Sequence, residues 1–283
     1  HQKIWKQAEK SGKADKMRKA IRMIRTISHI DKKIQKRTMR LFKEVHAGLG
    51  GHVRLMVAGA APINPAVIND FNAMGITMLQ GYGMTECSPI IALNPDWCAR
   101  AAAAGLPLPE SEVRIFEPDE NGIGEIICKS QSVMLGYYKD EEETAKVLRD
   151  GWLYTGDYGY FDKDGYLYIT GRKKNVIVTK NGKNIFPEEV EFYLNSSPYI
   201  SEVVVTGEAE ETSGESIVWA SIFPDRDAIL EQKGTLSDEE VRSLLKAEID
   251  RINEQMPFYK RVKRFRIRDT EFDKTTTRKI KRW

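Results

Sequence analysis

An apolar run of strand length, VRLMVAG at 53–59, is followed by AAPINP, a helical stretch to about Met74, and a second apolar run, ITMLQ, that leads straight into GYGMTE at 81–86. Strand, helix and strand joined by short links predict a parallel α/β layer. From Glu112 the pattern changes to short alternating strands, EVRIFEP, GEIICKS, WLYTGD and YLYITGR, with DENG and DKDG as turns between them. That predicts a small antiparallel β subdomain. DKDG has neither the glycine nor the distal glutamate of a calcium-binding EF-hand loop in register, so it reads as a hairpin turn.

Beyond Arg172, KKNVIVTKNGKNIF reads as a hairpin turned by Asn181 and Gly182, and Pro187 with Glu188 and Glu189 opens a helix. The strands VVVTG and IVWASIF, the helix SDEEVRSLLKAEIDRINEQ and a strand near VKRFRIR complete an α+β unit of about 110 residues.

Charge is unevenly spread. Residues 1–46 hold 15 Lys and Arg against 4 Asp and Glu, whereas the rest of the chain holds 29 against 37. Met17, Ile21, Ile24 and Ile27, then Ile30, Ile34, Leu41 and Val45, recur at helical intervals, which predicts amphipathic helices with a cationic face. That face is either the solvated side of packed helices or a contact for an anionic membrane surface or acidic partner. No aromatic stacking segment accompanies the charge, so nucleic acid is not expected as a partner. No apolar run approaches the length of a membrane span, and the first residues lack the core of a signal peptide, so a cytoplasmic location is expected. Cys87, Cys98 and Cys128 have neither metal-ligand spacing nor an even count, and read as reduced structural thiols.

GYGMTE places flexible backbone, an aromatic face, a hydroxyl and a carboxylate within six residues. Gly81 and Gly83 would let the main chain approach a ligand closely, Tyr82 could stack on a base, Thr85 could bond a phosphate and Glu86 could hold Mg²⁺. An ordinary turn at a strand end explains the segment equally well.

Read together, five segments resemble the successive core motifs of the adenylate-forming, AMP-binding superfamily in order and spacing. They are Gly59-Ala60-Ala61-Pro62, Gln80 through Glu86, Gly151-Trp152-Leu153-Tyr154-Thr155-Gly156-Asp157, Gly171-Arg172-Lys173-Lys174 through Pro187-Glu188-Glu189-Val190-Glu191, and Lys274 through Ile280. Within that superfamily the chain is most similar to bacterial long-chain fatty acid:CoA ligases. The resemblance implies an AMP-forming acyl-CoA synthetase that uses ATP, Mg²⁺ and coenzyme A on a fatty or other carboxylic acid. It also implies that residues 1–171 are the C-terminal portion of a large α/β adenylation domain. A small mobile α+β domain at 172–283 would follow, with its hinge at 172–174.

By the same resemblance, Ala60, Ala61, Pro62, Gly81, Tyr82, Gly83 and Met84 would surround the nucleotide, Thr85 would meet the α-phosphate, and Glu86 would bind the metal. Asp157 and Arg172 would hold the ribose hydroxyls. Lys279 would stabilise charge as the acyl-adenylate forms, Lys174 would be the hinge, and the hairpin near Gly182 would face CoA in the second step. Arg278 stands where the family usually has glycine before the lysine.

Two further departures stand out. The family's Ser/Thr/Gly-rich phosphate loop ending in Pro-Lys-Gly has no counterpart here, Thr212-Ser213-Gly214 being its nearest imitation, so the chain is expected to be a fragment inactive by itself. The run Arg100 to Pro109 replaces a Gly-Ser pair with alanines that would either narrow an acyl site or form helix. The alternatives are an adenylation enzyme that loads a carrier protein, disfavoured because only four residues follow Lys279, and a non-catalytic nucleotide-binding or interaction module.

Overall fold

The computed structural model describes residues 1–26, 40–180, 182–209, 216–276 and 279–282. The chain divides into two compact units, His1–Thr155 with Gly159–Ile169, and Gly156–Tyr158 with Thr170–Trp283.

The first unit opens with helices α1 (Gln2–Lys10), α2 (Ala14–Thr26) and α3 (Lys43–Gly48). Ile21 and Phe42 are buried with Ala73 and Met74, and Trp5, Met17, Ile24 and Val45 pack against them. Met17, Ile21, Ile24 and Val45 of the apolar series are therefore turned into the protein, whereas Leu41 of the same series is exposed, and the described Lys and Arg side chains of these helices reach water. Ile27, Ile30 and Ile34 of the same periodic pattern lie outside the described residues.

Strand β1 (Leu55–Ala58) leads to helix α4 (Pro65–Ala73), which starts where Pro65 takes the first helical position and the Asn64 side chain accepts the Ala66 N–H at 2.8 Å. Strand β2 (Thr77–Gly83) then pairs parallel to β1, from Leu55 opposite Thr77 to Ala58 opposite Gln80. The expected strand-helix-strand layer is present, but it does not stay parallel. Strands β3 (Ile90–Leu93) and β4 (Leu106–Pro107) join it antiparallel in the order β1-β2-β3-β4. The few residues between β2 and β3 are too short for a crossover, so only antiparallel return is open to them. The alanine run forms a turn and then β4, not a helix, with Ala103 and Ala104 fully buried. Ala104 packs with Ala92, Ile126 and Leu167, so its methyl group fills core.

The antiparallel part comprises β5 (Glu112–Phe116), β6 (Gly124–Lys129), β7 (Leu148–Arg149), β8 (Trp152–Phe161) and β9 (Leu167–Arg172). Their order is β5-β6-β8-β7, with β9 also on β8, and β8 and β9 contribute residues to both units. DKDG is the β8–β9 turn, in which the Asp162 carboxylate accepts the backbone N–H groups of Asp164 and Tyr166 at 2.9 and 3.0 Å. The sequence reading passed over helix α5 (Glu141–Val147), a short segment capped by the Asp140 side chain with every residue at least partly exposed.

In the second unit, β10 (Ile177–Val178) and β11 (Asn184–Ile185) form a hairpin, followed by helix α6 (Pro187–Leu194) as expected from Pro187. Strands β12 (Ile200–Ala209) and β13 (Ser216–Pro224) pair antiparallel. Helices α7 (Arg226–Lys233) and α8 (Asp238–Asn253) carry the chain over to β14 (Arg264–Ile267), which pairs parallel to β13. Ser237 and Glu240 close a reciprocal capping box at the start of α8. Val190, Leu194, Val205, Ala220, Ile222, Leu245 and Ile252 belong to one dry core within this unit. Thr212, Ser213 and Gly214 lie outside the described residues.

Candidate functional site

The sequence-predicted residues fall into two sets, one in each unit. In the first unit, the carboxyl ends of the parallel strands β1 and β2 lie side by side, and a Cβ on Gly59 would stand 3.6 Å from the Gly81 carbonyl. This brings Ala60, Ala61 and Pro62 to the same end of the layer as Gly81, Tyr82, Gly83 and Met84. The carboxyl end of parallel strands is where open α/β sheets bind ligands. Ala60 takes a left-handed conformation, φ 67°, which an L-residue adopts at a cost, and Ala60, Ala61 and Pro62 are exposed.

The two glycines of GYGMTE answer first to packing. A Cβ on Gly83 would lie 1.8 Å from the Pro89 carbonyl oxygen, and one on Gly81 would lie 3.0 Å from a Leu93 methyl. Pro89 and strand β3 therefore fill the space on the Cβ side of both glycines. Tyr82 and Met84 are half-buried against Cys87, Ile91 and Leu153. Thr85 is exposed in the 3₁₀ turn Thr85–Cys87.

Glu86 follows in that turn, and its carboxylate accepts the Tyr137 hydroxyl at 2.9 Å. Burial, and then the bond to Glu86, push the Tyr137 hydroxyl up to about 12, so it stays a proton donor at neutral pH. The Tyr137 N–H is in turn held by Thr144 at 2.8 Å. Tyr137 is absent from the sequence-predicted set, since nothing in sequence links two residues 51 positions apart. Among the described residues no group of three or more His, Cys, Asp or Glu is placed to hold a metal ion. A metal at this end of β2 would thus have Glu86 as its carboxylate, a donor set that fits Mg²⁺ arriving with phosphate oxygens and water. Cys87 and Cys128 are buried as free thiols, and the hydrogen bond between them, and then burial, raise the Cys87 thiol far above its ordinary value.

In the second unit, Asp157 falls on the inward face of β8, in the alternating buried series Leu153, Thr155, Asp157, Gly159. The Arg172 Nε lies 2.9 Å from its carboxylate, and the Arg172 side chain is about half exposed. A buried carboxylate is thus neutralised by a guanidinium that reaches water. Lys174 is exposed in the 3₁₀ turn Lys173–Asn175. The flanking residues are fixed. A Cβ on Gly171 would meet the Glu188 carboxylate at 2.5 Å, and the buried Asn175 amide donates to that same Glu188.

Gly182, φ 72°, ends the turn Thr179–Gly182 between β10 and β11, donating its N–H to the Thr179 carbonyl at 2.9 Å. Asn181, the other residue expected there, lies outside the described residues. Beside this hairpin, Lys183 stands 4.7 Å from the centre of the Tyr259 ring, and Lys263 3.9 Å from that of the exposed Phe258. This basic and aromatic strip was not singled out in the sequence, although FYKRVKR announces it by composition. Lys279 is exposed, with its backbone N–H donated to the Thr275 hydroxyl at 3.1 Å. Arg278 lies outside the described residues.

Comparison with known proteins places this geometry in context. The family model of the AMP-binding enzymes matches residues 8–138, and that of the AMP-binding enzyme C-terminal domain matches residues 174–282. The long-chain-fatty-acid–CoA ligase FadD15 of Mycobacterium bovis is 31% identical over 257 residues, which are 86% of this chain and 42% of the relative. The long-chain-fatty-acid–CoA ligase of Yersinia pestis is 38% identical over 172 residues, 58% of this chain and 30% of the relative. The chain thus spans less than half the length of these curated relatives. Among solved structures, o-succinylbenzoate coenzyme A synthetase (MenE) of Bacillus subtilis in complex with AMP superimposes with a TM-score of 0.65 at 28% identity, covering 80% of this chain and 44% of that one. The amide bond synthetase McbA of Marinactinospora thermotolerans gives 0.58 at 32% identity, covering 77% and 43%.

Proposed function

Since the chain belongs to the AMP-binding enzyme family, we propose that it is the C-terminal part of an AMP-forming acyl-CoA synthetase that activates a fatty acid with ATP and passes the acyl group to coenzyme A. The observation that carries this reading is the continuous likeness to a long-chain-fatty-acid–CoA ligase over 86% of the chain, which takes in both units.

Residue by residue, Ala60, Ala61 and Pro62 with Gly81 to Met84 border the adenine. Thr85 meets the α-phosphate. Glu86, oriented by the Tyr137 hydroxyl, holds Mg²⁺, which supplies charge neutralisation to the phosphates when bound. Asp157 accepts the ribose hydroxyls, and Arg172, besides neutralising it, offers donors to the same oxygens. Lys279 supplies a mobile ammonium where negative charge gathers as the acid attacks the α-phosphate and pyrophosphate leaves. The thioester step needs no protein nucleophile, because the adenylate already carries a good leaving group and positioning suffices. The cationic and aromatic strip beside the Gly182 hairpin suits the phosphates of CoA, and Lys174 is the residue at which the backbone turns between steps. Contact of residues 1–46 with an anionic membrane surface would rest chiefly on their Lys and Arg side chains, because Trp5, Met17, Ile21, Ile24, Phe42 and Val45 are packed inward.

The likeness to an amide bond synthetase favours a second reading, in which an amine and not a thiol receives the acyl group. Pyrophosphate exchange by the full-length protein across a panel of carboxylic acids, followed by addition of CoA or an amine, separates the two. Exchange with fatty acids and product only with CoA is expected; exchange with none of them would reject the synthetase reading.

A further inference from the structure

Lys279 belongs to a small hairpin at the end of the described chain. Lys274 bridges antiparallel to Ile280, the Thr275 N–H donates to the Lys279 carbonyl at 2.8 Å, and the Lys281 N–H to the Asp273 carbonyl at 2.7 Å. Each arm is tied to the body of the second unit by a largely buried carboxylate. On the incoming arm, Glu202 of β12 accepts the Phe272 N–H at 2.9 Å and pairs with the Lys274 ammonium. On the outgoing arm, the Arg282 guanidinium donates to Glu191 of α6 at 2.5 Å and to the Val205 carbonyl at 3.1 Å, with Glu188 at 3.5 Å. The second Glu191 oxygen accepts the Val205 N–H at 2.7 Å, so α6, β12 and the hairpin close on one another.

A basic tail with no task would leave its long side chains in water, where their rotamer freedom is kept. Here the Arg282 and Glu191 side chains are only 16% and 14% exposed. Burial pushes the Glu191 carboxyl up to about 7 even against the pull of Arg282, so an ionised Glu191 is costly here without its guanidinium.

We infer that Arg282 is a positioning residue for Lys279: its donor fork, seated on α6, and Lys274, seated on Glu202, together fix the hairpin that presents the Lys279 ammonium. The inference rests on the role proposed above for Lys279, but the anchoring does not. A lysine at 282 would keep the charge and lose the fork that spans Glu191 and Val205.

Two measurements test it. In hydrogen exchange of the 283-residue chain, Arg282→Lys and, on the other arm, Glu202→Gln are each expected to lower protection of the Thr275 and Lys281 amides by about 10-fold, the scale of one hydrogen bond to a charged group. Protection within α8 should stay at the parental level. Unchanged hairpin protection in both variants would overturn the anchor. In the full-length protein, Arg282→Lys is expected to lower the rate of pyrophosphate exchange by about 10-fold or more with the KM for ATP little changed, and to have no further effect in a Lys279→Ala background. An equal loss in that background would overturn positioning through Lys279. If Lys279→Ala itself exchanged at the parental rate, the role of Lys279 would fall instead, a separate result because hairpin protection is read without turnover.

Discussion

Gly83 separates what packing asks of the GYGMTE segment from what a ligand would ask. Any side chain there drives a Cβ into the Pro89 carbonyl and the Ile90 backbone, both main-chain groups that cannot turn aside. Gly83→Ala is therefore expected to destabilise the first unit by about 2 kcal/mol or more, the cost of overpacking against backbone, seen as a lower midpoint in thermal or urea unfolding of the chain. A midpoint equal to the parent's would show that β3 does not set this glycine. Glu191 offers a test in pH. Its carboxyl, raised from 4.5 to about 7 by burial, binds a proton more tightly in the folded than in the unfolded chain. The stability it adds is complete below about 4.5 and is lost as pH rises to about 7. The charged groups facing it are Arg282 and Glu188. Glu191→Gln removes this ionisation, so its stability relative to the parent should improve steadily between pH 4.5 and 7. Parallel stability curves over that range would contradict the assignment. At this scale the sequence displayed residue types but not partners: Tyr137 and Glu86 are 51 positions apart, and Arg282 and Glu191 are 91.

Elements were legible where local chemistry repeats. The apolar run of β2, the Pro187 start of α6 and the Ser237 cap of α8 each follow from a few neighbouring residues. What escaped were short elements whose reason is tertiary. Strand β4 has two residues and lies against β3, and α5 carries no buried stripe. The parallel placement of β14 depends on a crossover through α7, which the sequence reading did not separate from its surroundings. The segment near Lys174 also belongs to this scale. Gly171 is packed too closely against Glu188 to carry a side chain, and Asn175 donates to the same Glu188, so a change of backbone angle at this joint would fall on Arg172 to Lys174. Proline at 174 would fix φ near −65° and push Lys173 toward extended angles, against the 3₁₀ turn that it now starts. The expected outcome for Lys174→Pro in the full-length protein is an unequal loss, with thioester formation reduced about 10-fold more than adenylate formation. Equal loss of the two half-reactions in a folded protein would remove the hinge from this position.

For the molecule as a whole, the order of five motifs carried more than any one of them. GYGMTE alone reads as a turn, and Asp157 alone as one more inward residue of a strand; their spacing made a single chemistry of them. What spacing could not convey is which segments hold Lys279 in place, because the carboxylates that anchor its hairpin lie on α6 and β12, far back in the chain. Assigning Lys279 to one chemical step makes a demand on the entire reaction. An ammonium that stabilises charge only while the acyl-adenylate forms lowers one barrier and leaves the next untouched. In the full-length protein, Lys279→Ala should slow adenylate formation, measured by pyrophosphate exchange, by roughly 100- to 1,000-fold, the scale of losing one preorganised donor at a developing charge. Thioester formation from synthetic acyl-adenylate and CoA should proceed at close to the parental rate, since the bond formed in the adenylation step is already present in that substrate. If thioester formation fell by the same factor as exchange, Lys279 would have to act on both steps or on the fold, and its assignment to adenylation alone would be withdrawn.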